Sequence, residues 1–456
     1  MADAYDVIVI GSGPGGYVAA IRAAQLGLKT AVAEKDTTGG RCLNYACIPA
    51  KTLLHAADIY DTTKNSAAHH GVKVEGVSLD WKVLQERREE IRLGLTGGVA
   101  SLFKKNKIDL LEGEASLAGE GKVAVDGTEH ETKNVVLATG SVALPIPGTE
   151  FGARVLDTWG AWSLPEQPAK IAVVGAGASG AEIASAYVRF DTEVLLIEML
   201  PQILPAEDTD IVRVVERAFK KQGIVTSTGT KVQNVKAGKS SVKFSYGDNS
   251  AEVDYLIIAG GRGPDVEALG LEAAGVQVGE GGKITVDEYQ RTAAKGVYAI
   301  GDLVPGPALA HKASEEGIVA VETIAEAPTH PVDLEAIPGA TFCHPQVASV
   351  GMTEAEAKEA GKEIKVGKFK LGGVGAGQVY DDRDGIVKIV ADAKYGEILG
   401  AHIVGNRACD MISELVNTKA LEGGYQELAR IIHPHPTISE AVLDAARAVD
   451  GWATHA

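Results

Sequence analysis

The sequence predicts an α/β chain with two Rossmann-type dinucleotide-binding units and a C-terminal α+β domain. The first observation is a strand, a glycine-rich turn, a helix and a second strand ending in an acid near the N-terminus. The second is a later repeat of that pattern with the same spacing from first glycine to acid, from Gly11 to Glu34 and from Gly175 to Glu198. The third is a change at Pro338, after which short strands and helices alternate without a dinucleotide fingerprint.

The first copy has the features of a nucleotide site. Glycines at this turn let the backbone approach a pyrophosphate at a helix N-terminus, and Glu34 can accept hydrogen bonds from ribose hydroxyls. A tight turn between strand and helix would explain the glycines alone, but not the second strand and its acid. The predicted elements are a strand at 5–10, the glycines Gly11, Gly13 and Gly16, a helix over 17–26 and a strand over 30–34.

The second copy predicts a second nucleotide site. Glu198 is followed by Met199, Leu200 and Pro201 rather than by arginines. An acid in this place favours a free ribose 2′-hydroxyl, and therefore NAD over NADP, although Arg189 weakens that preference. The elements are a strand over 170–174, the glycines Gly175, Gly177 and Gly180, and a strand over 192–198.

Cys42 and Cys47 are two of only four cysteines in the chain. Their spacing does not fit a Cys-x-x-Cys zinc site. A disulfide between them needs an irregular backbone, because five helical residues rise about 7.5 Å and rotate away from each other, whereas bridged Cα atoms lie roughly 4.4–6.8 Å apart. A helix starting near Pro49 would place Cys47 at its N-terminus, where a thiolate is favoured. Arg41 and Lys51 act in the same direction, and two ordinary buried thiols are the alternative.

Further elements complete the predicted layers. Gly301 and Asp302 end an apolar strand, where the acid either meets a ribityl or ribose hydroxyl or is an ordinary turn aspartate. The prolines from Pro145 onward mark the place where the chain should leave its first domain. The other predicted strands are 122–126, 134–139, 255–259, 296–300, 364–369, 385–391 and 398–404, and the predicted helices are 86–105, 210–222, 353–360 and 410–421.

A proline-rich turn near the C-terminus carries two histidines, His433 and His435. His435 can act as a proton acceptor oriented by Glu440, as in other bases held by a carboxylate. Alternatively, Thr437 and Glu440 form a helix capping box, and both histidines lie on the surface. Because neither histidine is near a cysteine in sequence, the functional interpretation requires a tertiary or intersubunit contact.

The composition narrows the class of partner. A formal net charge of −17 argues against nucleic acid and anionic membranes as main partners. No apolar run is long enough to span a membrane, and the N-terminal residues read directly into a strand without a basic leader. Few cysteines and no leader predict a reducing, cytoplasmic environment, in which a dithiol is more often catalytic than structural.

Together these motifs resemble the FAD-dependent pyridine nucleotide-disulfide oxidoreductases. The resemblance covers the whole chain in the right order. Two segments, 309–317 and 433–437, are most similar to the branch of the family that acts on lipoamide, and the chain lacks the C-terminal cysteine pair expected of a mercuric reductase. The motifs that carry the resemblance lie at 39–51, 138–140, 261–264, 301–302, 309–317 and 433–437.

The resemblance implies a role for each matching residue. FAD would be held by Gly11, Gly13, Gly16, Glu34 and Asp302, and NAD by Gly175, Gly177, Gly180 and Glu198. Further cofactor-binding positions would be Lys51, Thr139, Gly140, Gly261 and Ala310. The domains would be a first FAD-binding part at 1–146, an NAD-binding domain at 147–268, a central domain completing the FAD site at 269–337 and a C-terminal dimerisation domain at 338–456.

The resemblance also implies a chemistry. Cys42 would exchange with a substrate dithiol, while Cys47 would lie against the flavin and form a thiolate–flavin charge-transfer state. Lys51 and Glu182 match a pair beside the reactive edge of the flavin ring. His435, polarised by Glu440, would come from the other subunit of a homodimer.

The implied reaction is oxidation of dihydrolipoamide with reduction of NAD⁺, and the implied partners are lipoyl-bearing proteins of 2-oxo acid dehydrogenase or glycine cleavage complexes. One alternative is a reductase of glutathione disulfide or another small disulfide that uses NAD(P)H. Another is a mainly docking role in an acyl-transferring complex. Departures from the family pattern are Arg41, Tyr45–Ala46, Ala50 and the glycines of 372–375.

Overall fold

The computed structural model describes residues 4–455. Within that range lie thirteen α-helices. They are α1 Pro14–Gln25, α2 Gly40–Asn44, α3 Cys47–Asp61, α4 Trp81–Lys105, α5 Thr158–Trp162, α6 Ala178–Arg189, α7 Thr209–Gln222, α8 Ala310–Ile324, α9 Glu354–Glu359, α10 Gly375–Val379, α11 Ala408–Ala420, α12 Tyr425–Leu428 and α13 Glu440–Ala448.

The same residues form twenty-two strands. The first eleven are β1 Tyr5–Ile10, β2 Thr30–Glu34, β3 Asp109–Glu112, β4 Ala115–Leu117, β5 Lys122–Val125, β6 Thr128–Leu137, β7 Ser141–Ala143, β8 Val155–Leu156, β9 Lys170–Val174, β10 Glu193–Ile197 and β11 Val225–Ser227. The others are β12 Val232–Ala237, β13 Val242–Tyr246, β14 Asn249–Val253, β15 Tyr255–Ile258, β16 Arg262–Pro264, β17 Val297–Ala299, β18 Gly339–Thr341, β19 Gln346–Gly351, β20 Ile364–Lys370, β21 Ile386–Asp392 and β22 Ile398–Gly405.

The chain forms two compact units from interleaved segments. Unit 1 consists of the residues up to Leu53 together with Asp80–Leu144 and Gly261–Val332. Unit 2 consists of Leu54–Leu79, Pro145–Gly260 and the residues from Asp333 onward.

Unit 1 is built on a sheet with the order β3-β2-β1-β6-β5-β4, in which β17 also pairs with β6. Strands β2, β1, β6 and β17 run parallel. Alternate residues of β1 pack into the hydrophobic cores on the two faces of the sheet. Ile8 packs on one face, and Val7 and Val9 pack on the other face with the alanines of α1. The prediction of a strand buried on both faces is therefore confirmed.

Unit 2 contains three sheets. A parallel sheet has the order β11-β10-β9-β15-β8 and carries the second glycine-rich turn after β9. An antiparallel sheet of β12, β13 and β14 had no counterpart among the sequence predictions. The last sheet, β18-β19-β22-β21-β20, is antiparallel and packs its apolar face against α11 and α13, which confirms the predicted change to an α+β layer.

Predicted strands 30–34 and 170–174 coincide with β2 and β9, whereas several helix starts were wrong. Helix α4 begins at Trp81 rather than at 86, because the Asp80 side chain accepts a hydrogen bond from the Val83 N–H and caps the helix. Helix α1 begins at Pro14 rather than at 17, since a proline suits the first turn of a helix. None of the helices within 4–455 has both the length and the apolarity needed to cross a bilayer.

Candidate active site and nucleotide sites

The cysteine pair lies at a break between two helices. Cys42 is in α2, which ends at Asn44, and Cys47 is the first residue of α3. Tyr45 between them has non-helical backbone angles, so the predicted irregular backbone and the position of Cys47 at a helix start are confirmed. Both cysteines are thiols in this structure, and their side chains are hydrogen-bonded.

The electrostatics of the pair differ between its two sulfur atoms. The hydrogen bond with Cys47 raises the pKa of the Cys42 thiol, burial raises it further, and the Lys51 ammonium opposes the rise. At the N-terminus of α3, Cys47 lies where the helix dipole favours negative charge. The arrangement therefore keeps the proton on Cys42, while Cys47 occupies the helix start.

Asn44 holds the segment that carries Cys42. Its side-chain amide donates to the carbonyl oxygens of Thr37, Thr38 and Gly40 at 3.1, 3.2 and 3.0 Å, and its own oxygen accepts from Arg92 at 2.7 Å. Asn44 is 1% exposed. Sequence reasoning missed this residue, because its partner Arg92 lies on α4, far away in sequence.

Tyr45, one of the departures from the family pattern, is also tied down. Its hydroxyl donates a hydrogen bond to the Asp36 carboxylate. Burial raises the pKa of Tyr45 to about 12, and the bond to Asp36 adds to this. Tyr45, one of the four residues between the two cysteines, is thereby fixed to the loop that follows β2.

The first nucleotide site has the expected geometry. A Cβ at Gly16 would lie 1.9 Å from the Gly11 carbonyl oxygen, whereas a Cβ at Gly13 would meet no described atom within 4 Å. The start of α1 has no side-chain cap, so its backbone N–H groups are available to an anion. Glu34 accepts from the Ser12 N–H at 2.9 Å and, through its other oxygen, from the Asp36 N–H at 3.0 Å. These features fit the pyrophosphate and ribose of FAD.

The second site repeats this arrangement in unit 2. A Cβ at Gly180 would lie 1.8 Å from the Gly175 carbonyl oxygen. Glu198 accepts from the Ala176 N–H at 2.7 Å and, through its other oxygen, from the Leu200 N–H at 2.8 Å. The start of α6 at Gly177 again has no side-chain cap. The residues fit the corresponding half of NAD, with a carboxylate placed for ribose hydroxyls.

The other predicted cofactor-binding positions all belong to unit 1. Thr139 and Asp302 follow the carboxyl ends of β6 and β17, just as Gly11 and Glu34 lie at the ends of β1 and β2. In open α/β sheets, ligands bind at this edge. Asp302 accepts a hydrogen bond from Ser141, and Thr139 donates to the Asp265 carbonyl oxygen at 2.6 Å. The remaining predicted positions are Gly140, which follows Thr139, Gly261, whose carbonyl accepts from the Leu144 N–H, and Ala310, the first residue of α8.

The late histidine and its acid are in contact. The Nδ1 of His435 lies 2.9 Å from Glu440 Oε1, and Glu440 Oε2 accepts from the Thr437 N–H at 2.9 Å. Burial acts to raise the pKa of Glu440, but the Thr437 N–H and His435 hold it below its ordinary value. The His435 side chain is 74% exposed, so its other ring nitrogen is accessible.

The predicted capping box was wrong in one half. The Thr437 hydroxyl donates to the Pro434 carbonyl oxygen at 2.8 Å instead of accepting from the helix, and α13 begins at Glu440 after Ser439. Glu440 consequently binds both the turn backbone and His435.

His433 differs from His435. Its side chain is only 4% exposed, and its Nε2 lies 2.6 Å from Glu414 Oε1. That hydrogen bond raises the pKa of His433. The first histidine thus anchors the turn to α11 and the second projects from it, a distinction that the local sequence does not reveal.

The two members of the predicted flavin-edge pair lie in different units. Lys51 is on α3 in unit 1, just over one turn after Cys47. Glu182 is a buried residue of α6 in unit 2, and its Oε1 accepts from the Phe342 N–H at 2.9 Å.

Two nucleotide sites and a dithiol at a helix start define a nucleotide-dependent dithiol–disulfide oxidoreductase. The chain belongs to the pyridine nucleotide-disulphide oxidoreductase family: the family model matches residues 5–317, and the model for the family's dimerisation domain matches residues 337–446. The family uses FAD and NAD as its cofactors.

Curated relatives match nearly the whole chain. It is 42% identical over 475 residues to a dihydrolipoyl dehydrogenase of Bacillus subtilis, with all of both chains covered. It is 41% identical over 477 residues to a dihydrolipoyl dehydrogenase of Rhizobium etli, with 98% of each covered. A leghemoglobin reductase of Glycine max is 39% identical over 460 residues, covering 98% of this chain and 88% of the relative.

Solved structures have the same fold. LpdA from Mycobacterium tuberculosis superposes with a TM-score of 0.90 at 26% identity, covering 97% of this chain and 99% of that one. The HOCl-induced flavoprotein disulfide reductase RclA from Escherichia coli gives a TM-score of 0.88 at 27% identity with the same coverage.

Proposed function

We propose that the chain oxidises dihydrolipoamide to lipoamide and reduces NAD⁺ to NADH, with FAD and the Cys42–Cys47 pair between the two substrates. The observation that carries this proposal is the hydrogen-bonded thiol pair at the start of α3, in the unit that also contains the FAD fingerprint. Identity of about 40% to dihydrolipoyl dehydrogenases over the full length supports the choice of substrate.

His435 acts as the base. With Nδ1–H donated to Glu440, its Nε2 is free to take the proton of a substrate thiol. The substrate thiolate attacks Cys42 of the oxidised pair, the Cys42–Cys47 bond breaks, and Cys47 leaves as the thiolate that the helix start favours. The second substrate thiol then attacks the mixed disulfide and its proton passes to the Cys42 sulfur, which releases lipoamide and leaves Cys42 as a thiol, with the first proton still on His435.

The electrons remain on the reduced cysteine pair after lipoamide leaves. FAD, when bound, supplies two-electron chemistry between a dithiol and NAD⁺. The residues of this chain position it: Gly13 and the start of α1 for the pyrophosphate, and Glu34 and Asp302 for hydroxyl groups. Glu198 would hold the ribose of NAD⁺ in the same way.

The proposal includes a homodimer and outside partners. The match to a dimerisation domain supports a homodimer, and the exposed His435 would complete the site of a second subunit. The substrate dithiol would be carried by lipoyl-bearing proteins of 2-oxo acid dehydrogenase or glycine cleavage complexes. A cytoplasmic location is consistent with the sparse cysteines and with the bacterial relatives.

The first test is NADH formation by the purified holoenzyme with dihydrolipoamide and NAD⁺, beside a parallel assay with glutathione disulfide and NADPH. We expect rapid NADH formation in the first assay and no turnover in the second. The reverse result would refute the lipoamide and NAD assignments and favour a small-disulfide reductase. His435→Gln should suppress dithiol oxidation and spare electron transfer from NADH to a dye, whereas equal losses would refute the role of His435 as the base.

A further inference from the structure

A fully buried ion pair lies on α8, at the edge of the proposed FAD site. Lys312 Nζ and Glu316 Oε1 are 2.8 Å apart, and their side chains are 0% and 2% exposed. Long charged side chains are almost never buried to this degree unless something fixes them there. A helix-stabilising pair of the ordinary kind is exposed, as Lys82 and Glu86 are on α4.

Both members of the pair also bind the backbone of one residue. Lys312 Nζ donates to the Gly301 carbonyl oxygen at 3.0 Å, and Glu316 Oε2 accepts from the Gly301 N–H at 2.7 Å. Gly301 has a φ of +72° and immediately precedes Asp302. The pair therefore fixes the peptide groups on both sides of Gly301, and with them the direction in which the Asp302 side chain leaves the turn.

The same helix is packed tightly on α1. A Cβ at Gly317 would lie 2.7 Å from the Gly15 carbonyl oxygen, and a Cβ at Gly15 would lie 2.8 Å from the Ala313 carbonyl oxygen. Helix α8 thus packs directly on α1, whose start is the proposed pyrophosphate site. Its ion pair also binds the backbone of Gly301, next to Asp302. One helix therefore fixes both the start of α1 and the turn that carries Asp302, two parts of the proposed FAD site.

We propose that Lys312 and Glu316 are positioning residues for FAD, acting through Gly301 to fix Asp302 relative to the start of α1. This inference rests on the proposed FAD site. Neither side chain needs to touch the cofactor, and the positive and negative partners act together because each holds one backbone group of the same residue. The pair is consequently a determinant of cofactor retention rather than of the dithiol chemistry.

The test is a double-mutant cycle read out as FAD release from the purified holoenzyme, followed by the fluorescence of free flavin on dilution. Lys312→Met should weaken FAD retention by about tenfold, the value of one charged hydrogen bond, and Lys82→Met should leave it unchanged. In an Asp302→Ala background, Lys312→Met should have little further effect, because the residue through which it acts is gone. Equal losses in the two backgrounds would overturn the inference, as would full retention in Lys312→Met.

Two further variants distinguish a loss of FAD positioning from a loss of folding and from a wrong assignment of Asp302. The double replacement Lys312→Met with Glu316→Leu removes both buried charges, which avoids leaving one unpaired and preserves folding. It should release FAD as readily as Lys312→Met while keeping the unfolding temperature of the flavin-free protein near that of the parent, and unchanged retention would overturn the inference. Wild-type retention by Asp302→Ala alone would instead refute the FAD assignment of Asp302 itself.

Discussion

Glu440→Gln should separate the orientation of His435 from the stability of its turn. Glu440 accepts two hydrogen bonds, one from His435 Nδ1 and one from the Thr437 N–H. A glutamine has one oxygen and one NH₂ group, so keeping the backbone bond turns the NH₂ toward Nδ1. Nδ1 must then accept, the ring proton moves to Nε2, and the nitrogen that should take the substrate proton is blocked.

The magnitude follows from that tautomer change. General base catalysis contributes about 10²–10⁴-fold, and an amide in place of the orienting carboxylate of a catalytic triad costs about 10⁴-fold through the wrong tautomer. We expect kcat for dihydrolipoamide oxidation to fall by about 10²–10⁴-fold, with NADH-to-dye electron transfer and the unfolding temperature nearly unchanged. Steady-state kinetics in both directions measure this.

The matched control is Ser439→Ala. Ser439 precedes α13 but makes no side-chain capping hydrogen bond, so its replacement should leave both activities at the parent level. A Glu440→Gln enzyme that keeps its dithiol activity within a few-fold, or loses dye reduction equally, would show that Glu440 does not orient the base.

Three further predictions concern unit 2. Lys388→Met should lower the free energy of unfolding by about 3–5 kcal/mol, measured by thermal and denaturant unfolding, because Lys388 is 1% exposed and bonds Asp208 at 2.7 and 2.8 Å. Hydrogen bonds from Lys358 and then Lys388 lower the pKa of Glu354 from 4.5 to about 2, so this carboxylate stabilises the fold above pH 4.5 and the stabilisation is lost as the pH falls toward 2. Glu198→Gln should raise the Kd for NADH by about 10–100-fold without releasing FAD, as followed by titration of nucleotide fluorescence.

The two substitutions have matched controls. Lys365 makes a 2.8 Å pair with Asp450 that is 43% and 37% exposed, and Lys365→Met should leave the stability nearly unchanged. An equal loss from Lys365→Met and Lys388→Met would refute the importance of burial. Glu34→Gln should show the opposite pattern to Glu198→Gln, with loss of FAD and retained nucleotide affinity, and a reversal of the two would exchange the site assignments.

The elements that could be predicted from sequence are those whose signal is local. β2 and β9 coincide with their predicted strands because apolar runs and flanking glycines define them completely. The break between Cys42 and Cys47 followed from disulfide geometry alone. The prediction of a capping box at Thr437 was half right, since Glu440 does accept a hydrogen bond from the turn backbone. Its second oxygen, however, contacts a histidine that a capping motif does not include.

Contacts between distant segments could not be predicted. The Asn44 bond to Arg92 joins α2 to α4, and the anchoring of His433 depends on Glu414 of another helix. The hydrogen bond from Lys312 to Gly301 requires that α8 fold back over the turn at Gly301, which precedes the helix in sequence. In each case the residue type is unremarkable in its own window, and only the tertiary arrangement gives it a partner.

The matched acids of the two nucleotide sites have a consequence for inhibition. Glu34 and Glu198 each bind the N–H that follows the first glycine and the N–H two residues beyond the acid. With the proposed assignments, an adenosine fragment would meet the same carboxylate and backbone pattern twice, and an AMP mimic would compete both with assembly of the flavoenzyme and with its turnover. Selective compounds for one site would take their affinity from the flavin or nicotinamide end, or from the Ser12 hydroxyl, which Ala176 replaces at the second site.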